Sequence, residues 1–157
     1  IISMSGVIGG VGSKSGVIGE TELDYEEGTS TASFTAGSGT ITIHNDWKTL
    51  YYTRIGRICH FSGTVTIGSV SSPSSWMRVH GLPFTSASGN TGYGTVTVRI
   101  NDCTSSMGSD DNAPVAYIPA NDTWFYVQCF GGRYANGVSD HFGASTNFTC
   151  SGTYIIA

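Results

Sequence analysis

The stretch Arg57-Ile-Cys-His-Phe-Ser-Gly-Thr-Val-Thr-Ile-Gly-Ser69 alternates throughout. Arg57, Cys59, Phe61, Gly63, Val65 and Ile67 fall on one face, and Ile58, His60, Ser62, Thr64 and Thr66 fall on the other. A period of two with one apolar row and one hydroxyl row is the pattern of a half-buried β-strand whose second face meets water. The same β-branched and aromatic character recurs at residues 39–44, 49–55, 77–81, 93–102, 115–118, 124–130 and 146–156. Clusters of Gly, Ser, Pro, Asn and Asp separate these runs. No clean period of 3.6 occurs, so helix is expected only as a turn or two, around residues 45–48. Short strands joined by irregular loops imply an all-β fold, and a jelly-roll-like antiparallel β-sandwich is the expected architecture.

Composition narrows the setting. Of the 157 residues only 11% are charged, less than half the usual share, and Gly, Ser and Thr carry the polar surface. Such a surface suits an exposed protein or a large protein–protein interface. Lys and Arg together number 7 and the net charge is −4, so a row of phosphates has little to bind and nucleic acid is not an expected partner. No window of about 18 apolar residues is present, so no membrane insertion by a helix is expected. The beginning of the chain lacks the pattern of a secretory signal, since Gly interrupts the apolar residues and Lys14 follows them.

The first residues differ from the rest. Ser5-Gly-Val-Ile-Gly9 recurs as Ser15-Gly-Val-Ile-Gly19, and an acidic block, Glu20-Thr-Glu-Leu-Asp-Tyr-Glu-Glu-Gly28, follows. Ordering so much glycine costs about 1–2 kcal/mol per residue, which two Val-Ile pairs cannot offset alone. A solvated linker has no need for a hydrophobic pair repeated in register. Residues 1–28 therefore read as an extended N-terminal docking arm, with Val7, Ile8, Val17 and Ile18 as anchors, and residues 29–157 as the β-sandwich.

Residues 15–29, Tyr52-Thr-Arg-Ile-Gly-Arg57 and Gly81-Leu-Pro-Phe84 together resemble a family of short bacteriophage virion proteins, tail fibre or receptor-binding proteins of phages that infect aquatic bacteria. In that family the acidic block leads into a Trp-Thr-Pro strand, where this chain has Ser30-Thr-Ala-Ser33. The resemblance implies a homotrimer, a virion tail location, synthesis in the host cytoplasm with release by lysis, and an arm over residues 4–28 that docks to the phage tail or a preceding fibre protein. Met4 matches the start of such proteins, and Ile1, Ile2 and Ser3 are given no role. Open sheet edges in a charge-poor protein also favour an oligomer that shares them.

A search for chemistry leaves binding as the expected role. Phosphate loops, nucleophile elbows and metalloprotease helices are absent. His44, His60, His80 and His141 stand in no Ser-Asp setting recognisable from sequence. Asp110, Asp111, Asp122 and Asp140 fall in loops and could form a glycosidase pair, but solvated turn carboxylates are the simpler reading, and the expectation is no enzyme and no cofactor. Asp110-Asp111-Asn112 lacks the spacing of a calcium loop, so no metal is expected. Cys59 and Cys129 read as small buried hydrophobes, and Cys103 and Cys150 as strand-end residues; free thiols are expected, with one disulfide or a metal site as alternatives.

Loops with aromatic, Asp, Asn and Arg side chains suit sugars, which stack C–H faces on rings and pair hydroxyls with polar groups. Tyr134, Asn136, Asp140 and His141 are the candidate patch, joined by Asp110, Asp111 and Tyr93, for a host surface glycan. Trp47, Trp76 and Trp124 read as core or interface. The expected function is a phage tail adhesin; a head-decoration protein and a carbohydrate-binding module are the alternatives.

Overall fold

The computed structural model describes residues 24–104, 114–131, 134–137 and 141–157, with backbone alone for 129–131 and 134–137. Among the described residues nine strands follow in order: β1 (Tyr25–Thr31), β2 (Ser33–Ile43), β3 (Thr49–Ile55), β4 (Ile58–His80), β5 (Gly94–Asn101), β6 (Pro114–Ile118), β7 (Trp124–Gly131), β8 (Tyr134–Gly137) and β9 (Asn147–Ile155). A 3₁₀ turn spans Gly89–Gly92. The all-β, antiparallel character expected from sequence is present. The ladders, however, form one continuous sheet in which a five-strand barrel is closed and further strands are added outside it, where two stacked jelly-roll sheets were expected.

The ring runs β4-β9-β5-β6-β7 and returns to β4, and each of its five ladders is antiparallel. Direction must alternate at every antiparallel ladder, so five single-sense strands cannot close such a ring. β4 resolves the parity by entering twice. Its residues 58–66 pair with β9, and its residues 77–80 pair with β7 in the opposite sense. Residues 67–76 between them form a corner, along which β2 follows with register shifts. Ser72 and Ser75 take φ of 42° and 71° there, and Gly39 opposite them takes 70°. Bulges of this kind are how strands turn barrel corners.

Alternation then sorts the side chains. Cys59, Phe61, Val65 and Ile67 of β4 point inward with Phe125 and Val127 of β7, Phe148, Cys150 and Tyr154 of β9, Val96 of β5 and Ile118 of β6. Phe61 packs against Phe125 at 5.7 Å and Tyr154 at 6.2 Å, and Phe148 against Phe34 and Phe142 at 5.6 and 4.9 Å. Outside the ring, β3 pairs with the first half of β4, and β1 pairs with β3. Tyr25 to Gly28, placed in the arm by the sequence reading, are the first four residues of β1. Residues 1–23, including Val7, Ile8, Val17 and Ile18, lie outside the described residues.

One buried hydroxyl pins each end of the barrel. Ser86 donates to Pro119 O at 2.6 Å and accepts from the Asp122 N–H at the end where β5 starts. Thr146 donates to Asp102 O at 2.8 Å and accepts from the Gly143 N–H at the other.

The corner yields a test with an internal control. A Cβ at position 39 would lie 2.2 Å from Ser72 O, whereas one at Gly56, which has a similar φ of 56°, would meet nothing within 4 Å. Gly56→Ala is expected to cost about 1 kcal/mol for the left-handed backbone alone. Gly39→Ala should cost roughly 3 kcal/mol or more, because backbone must also move. Equal losses in denaturant unfolding of the two variants would show that the corner is not sterically fixed.

Candidate functional site

The inward rows of β3, β4, β9 and β5 dictate what faces out. Tyr51, Ser62, Ser151 and Thr97 are consecutive cross-strand partners and form one row over four strands. Thr64, Thr149 and Arg99 form the next row, and Glu27, Thr53, His60, Thr153 and Thr95 form the row on the other side, reaching β1. With strands about 4.8 Å apart, the four-strand row is about 14 Å long. Hydroxyls dominate it. Some are paired across strands, Thr64 with Thr149 at 3.2 Å and Thr153 with His60 Nδ1 at 3.0 Å.

Three adjoining clefts lie on this face, of about 480, 630 and 430 Å³. The first, around Glu27, Thr53 and His60, shares Tyr51 and Ser62 with the second. The second, holding Asp46, Thr97, Arg99 and Ser151, shares Trp47 and Thr64 with the third, around His44, Thr66 and Asn147. Tyr51 and Trp47 thus stand between neighbouring clefts, and they are 61% and 55% exposed. Trp47 is held beside β4 by the Thr66 N–H, which donates to its carbonyl at 3.0 Å. Arg99 is exposed and makes no ion pair among the described residues. His44 Nδ1 accepts the Asp46 backbone N–H at 3.2 Å, and the Asp46 carboxylate lies 4.0 Å from the same nitrogen.

The exterior of the second half of β4, β7 and β6 is different. The Arg78 guanidinium lies 4.2 Å from the Trp76 ring centroid and 4.1 Å from that of Trp124, and its Nη2 donates to the Tyr126 hydroxyl at 2.9 Å. Tyr126 stacks on Tyr117 at 5.3 Å. Burial, then the Arg78 charge, holds the His80 pKa below its ordinary value, and its Nε2 lies 2.9 Å from Thr35 Oγ1. Burial, then Tyr126, raises that of Tyr117. Here the rings and the cation are spent on one another. Trp76 and Trp124, expected in core or interface, are half-buried members of this stack.

Of the loop residues singled out from sequence, Tyr93 stands apart from the described others. Tyr93 is 62% exposed and precedes β5, whereas His141 meets Thr104, beyond the far end of β5, where the Thr104 N–H donates to His141 O at 3.1 Å. These two are therefore separated by the length of the barrel. Tyr134 and Asn136 are in β8, which pairs with the last residues of β7 at the His141 end. Asp110, Asp111 and Asp140 lie outside the described residues. Among the described residues no group of three His, Cys, Asp or Glu side chains is placed to hold a metal. Alternation in residues 49–55 already turns Tyr51 outward while Leu50 and Tyr52 turn in; that signal, read only as a strand, marked the exposed ring.

The three separated blocks of the sequence resemblance meet in space. Arg54 pairs with Asp24 and Glu26, the Tyr52 hydroxyl donates to Glu26 at 2.7 Å, and Phe84 lies under the Arg54 guanidinium at 5.3 Å and edge-on to Tyr52. The fold itself has a solved counterpart. Part of the crystal structure of the Dettilon tailspike protein is similar to this chain, with a TM-score of 0.65 and 23% identity over 83% of the chain. The match takes in 24% of the tailspike, so this chain corresponds to about a quarter of that protein. No protein-family model and no curated protein matches the sequence.

Cys59, Cys103 and Cys150 are free thiols, and Cys150 lies within β9 beneath the central cleft. Burial pushes the Cys150 thiol up to about 12, and burial also raises Cys59 and Cys103. On the order of one Cys150 in ten thousand is then ionised at pH 8. In a Cys129→Ser background, iodoacetamide at pH 8 should modify half-buried Cys103 first and leave Cys59 and Cys150 intact until denaturant is added. Rapid labelling of Cys150 in the native protein would contradict the packing of β9.

Proposed function

We propose that this chain is a non-catalytic receptor-binding module of a phage tail that contacts a host surface glycan through the outward face of β1, β3, β4, β9 and β5. The observation that carries the reading is the fold shared with part of a phage tailspike. The three sequence blocks that resemble phage fibre proteins support it, since their described residues converge around Arg54. So does the chemistry of the face, where exposed Tyr51 and Trp47 adjoin hydroxyls, Asp46 and Arg99. Exposed rings beside a few directional polar groups are what sugar recognition uses, because C–H faces stack and hydroxyls pair. In this reading three copies assemble around a common axis in the virion, and residues 4–28 attach them to the tail or a preceding fibre protein.

Two measurements on virions test it. Antibody raised against residues 29–157 should label the tail periphery in electron micrographs, and the purified chain should compete with phage for adsorption to host cells. Label spread over the head would make this a decoration protein and overturn the proposal.

A further inference from the structure

Resting on the glycan-binding reading, we infer that the ligand is a linear, uncharged glycan lying along three consecutive subsites, with Tyr51 and Trp47 as the ribs between them. Continuity is the first ground. The central cleft shares Tyr51 and Ser62 with one neighbour and Trp47 and Thr64 with the other, so the three are one groove. A compact ligand would use one cleft and leave the others without purpose. A chain that crosses both ribs uses every exposed ring on the way.

Rib spacing agrees with this. Tyr51 is in β3, and Trp47 lies four residues before it, held against Thr66 of β4. Ser62 opposite Tyr51 and Thr66 bonded to Trp47 are four residues apart in β4, so at about 3.3 Å per residue the backbones of the two ribs stand roughly 13 Å apart along the strand direction. That is longer than one sugar ring, so one ligand meets both ribs only as an oligomer. Between them, the floor offers the hydroxyls of Ser62, Thr64, Thr149 and Ser151, which both donate and accept and so suit ring hydroxyls in either role.

Charge supplies the second ground. The groove is lined by the carboxylates of Glu27 and Asp46 and by the guanidinium of Arg99, with His44 and His60 beside them. Two carboxylates against one guanidinium give no attraction for a polyanion, and like-charge contacts would oppose a chain carrying a carboxylate on each repeat. Arg78 lies in the stack on the other exterior face and adds no cation to this groove.

The test is a titration of the full chain, with Tyr51→Ala and Trp47→Ala variants, against neutral and uronate- or sialate-bearing oligosaccharides graded in length from a single sugar upward. Tyr117→Phe, on the other face, is the control, and thermal unfolding checks that each variant is folded. Affinity for neutral chains should climb with length to a plateau, and each rib variant should lower the plateau about tenfold while leaving short ligands less affected. Affinity that does not depend on length, or that both variants leave intact, overturns the three-subsite groove while the glycan-binding reading stands. Selective capture of the acidic series overturns the charge assignment. Binding to no glycan of either series overturns both this inference and the reading beneath it.

Discussion

An odd number of strands joined only by antiparallel ladders cannot close, and the corner at residues 67–76 of β4 is what lets this barrel exist. Everything else in the molecule hangs on that bend. It sends one strand up one wall and down another, so that Phe61 from the first stretch and Phe125, paired beside the second, meet in a single core. β2 accompanies the bend and closes the core with Phe34 and Ile41. Left-handed Ser72, Ser75 and Gly39 are the local strain that the closure requires, held in place by the ladders on both sides.

The same bend divides the exterior into two chemically distinct faces. Before it, outward positions of β4 are His60, Ser62, Thr64 and Thr66; after it they are Trp76, Arg78 and His80. On the second face the Arg78 guanidinium is sandwiched between Trp76 and Trp124 and its Nη2 bonds Tyr126, while its buried Nε has no hydrogen-bond partner among the described residues. On the first face Tyr51 and Trp47 have no such partner ring among the described residues, and hydroxyls lie around them. Scarce charge is also placed unevenly. Arg54 is engaged by Asp24 and Glu26 at the edge formed by β1, a partly exposed network worth at most about 1 kcal/mol per pair, while Arg99 is left over the groove.

Strands were legible wherever their pairing face showed in the chain itself. Alternation in residues 57–69 places Cys59, Phe61 and Val65 in the core, and Cys59 is fully buried. β1 was missed because Tyr25-Glu-Glu-Gly28 reads as an acidic tail; its partners, Tyr52 and Arg54, lie in another part of the chain. The continuity of β4 was missed because Ser71-Ser-Pro-Ser-Ser75 has the composition of a loop, and only pairing with β2 keeps it in the sheet. Composition marks the stretches around Asp110 and Tyr134 as candidates but says nothing of which rows of different strands become neighbours. The groove is made by Thr, Ser and Tyr on four strands, and no single strand reveals it.

The most direct measurement is an amide spectrum of isotope-labelled protein titrated with polysaccharide extracted from the surface of a susceptible host. The account predicts shifts concentrated at Tyr51, Ser62, Thr97 and Ser151, with Tyr117, Tyr126 and Arg78 unmoved. Shifts confined to the Arg78 stack, or to the end of the barrel around β8 and His141, would contradict it and move recognition off the hydroxyl face.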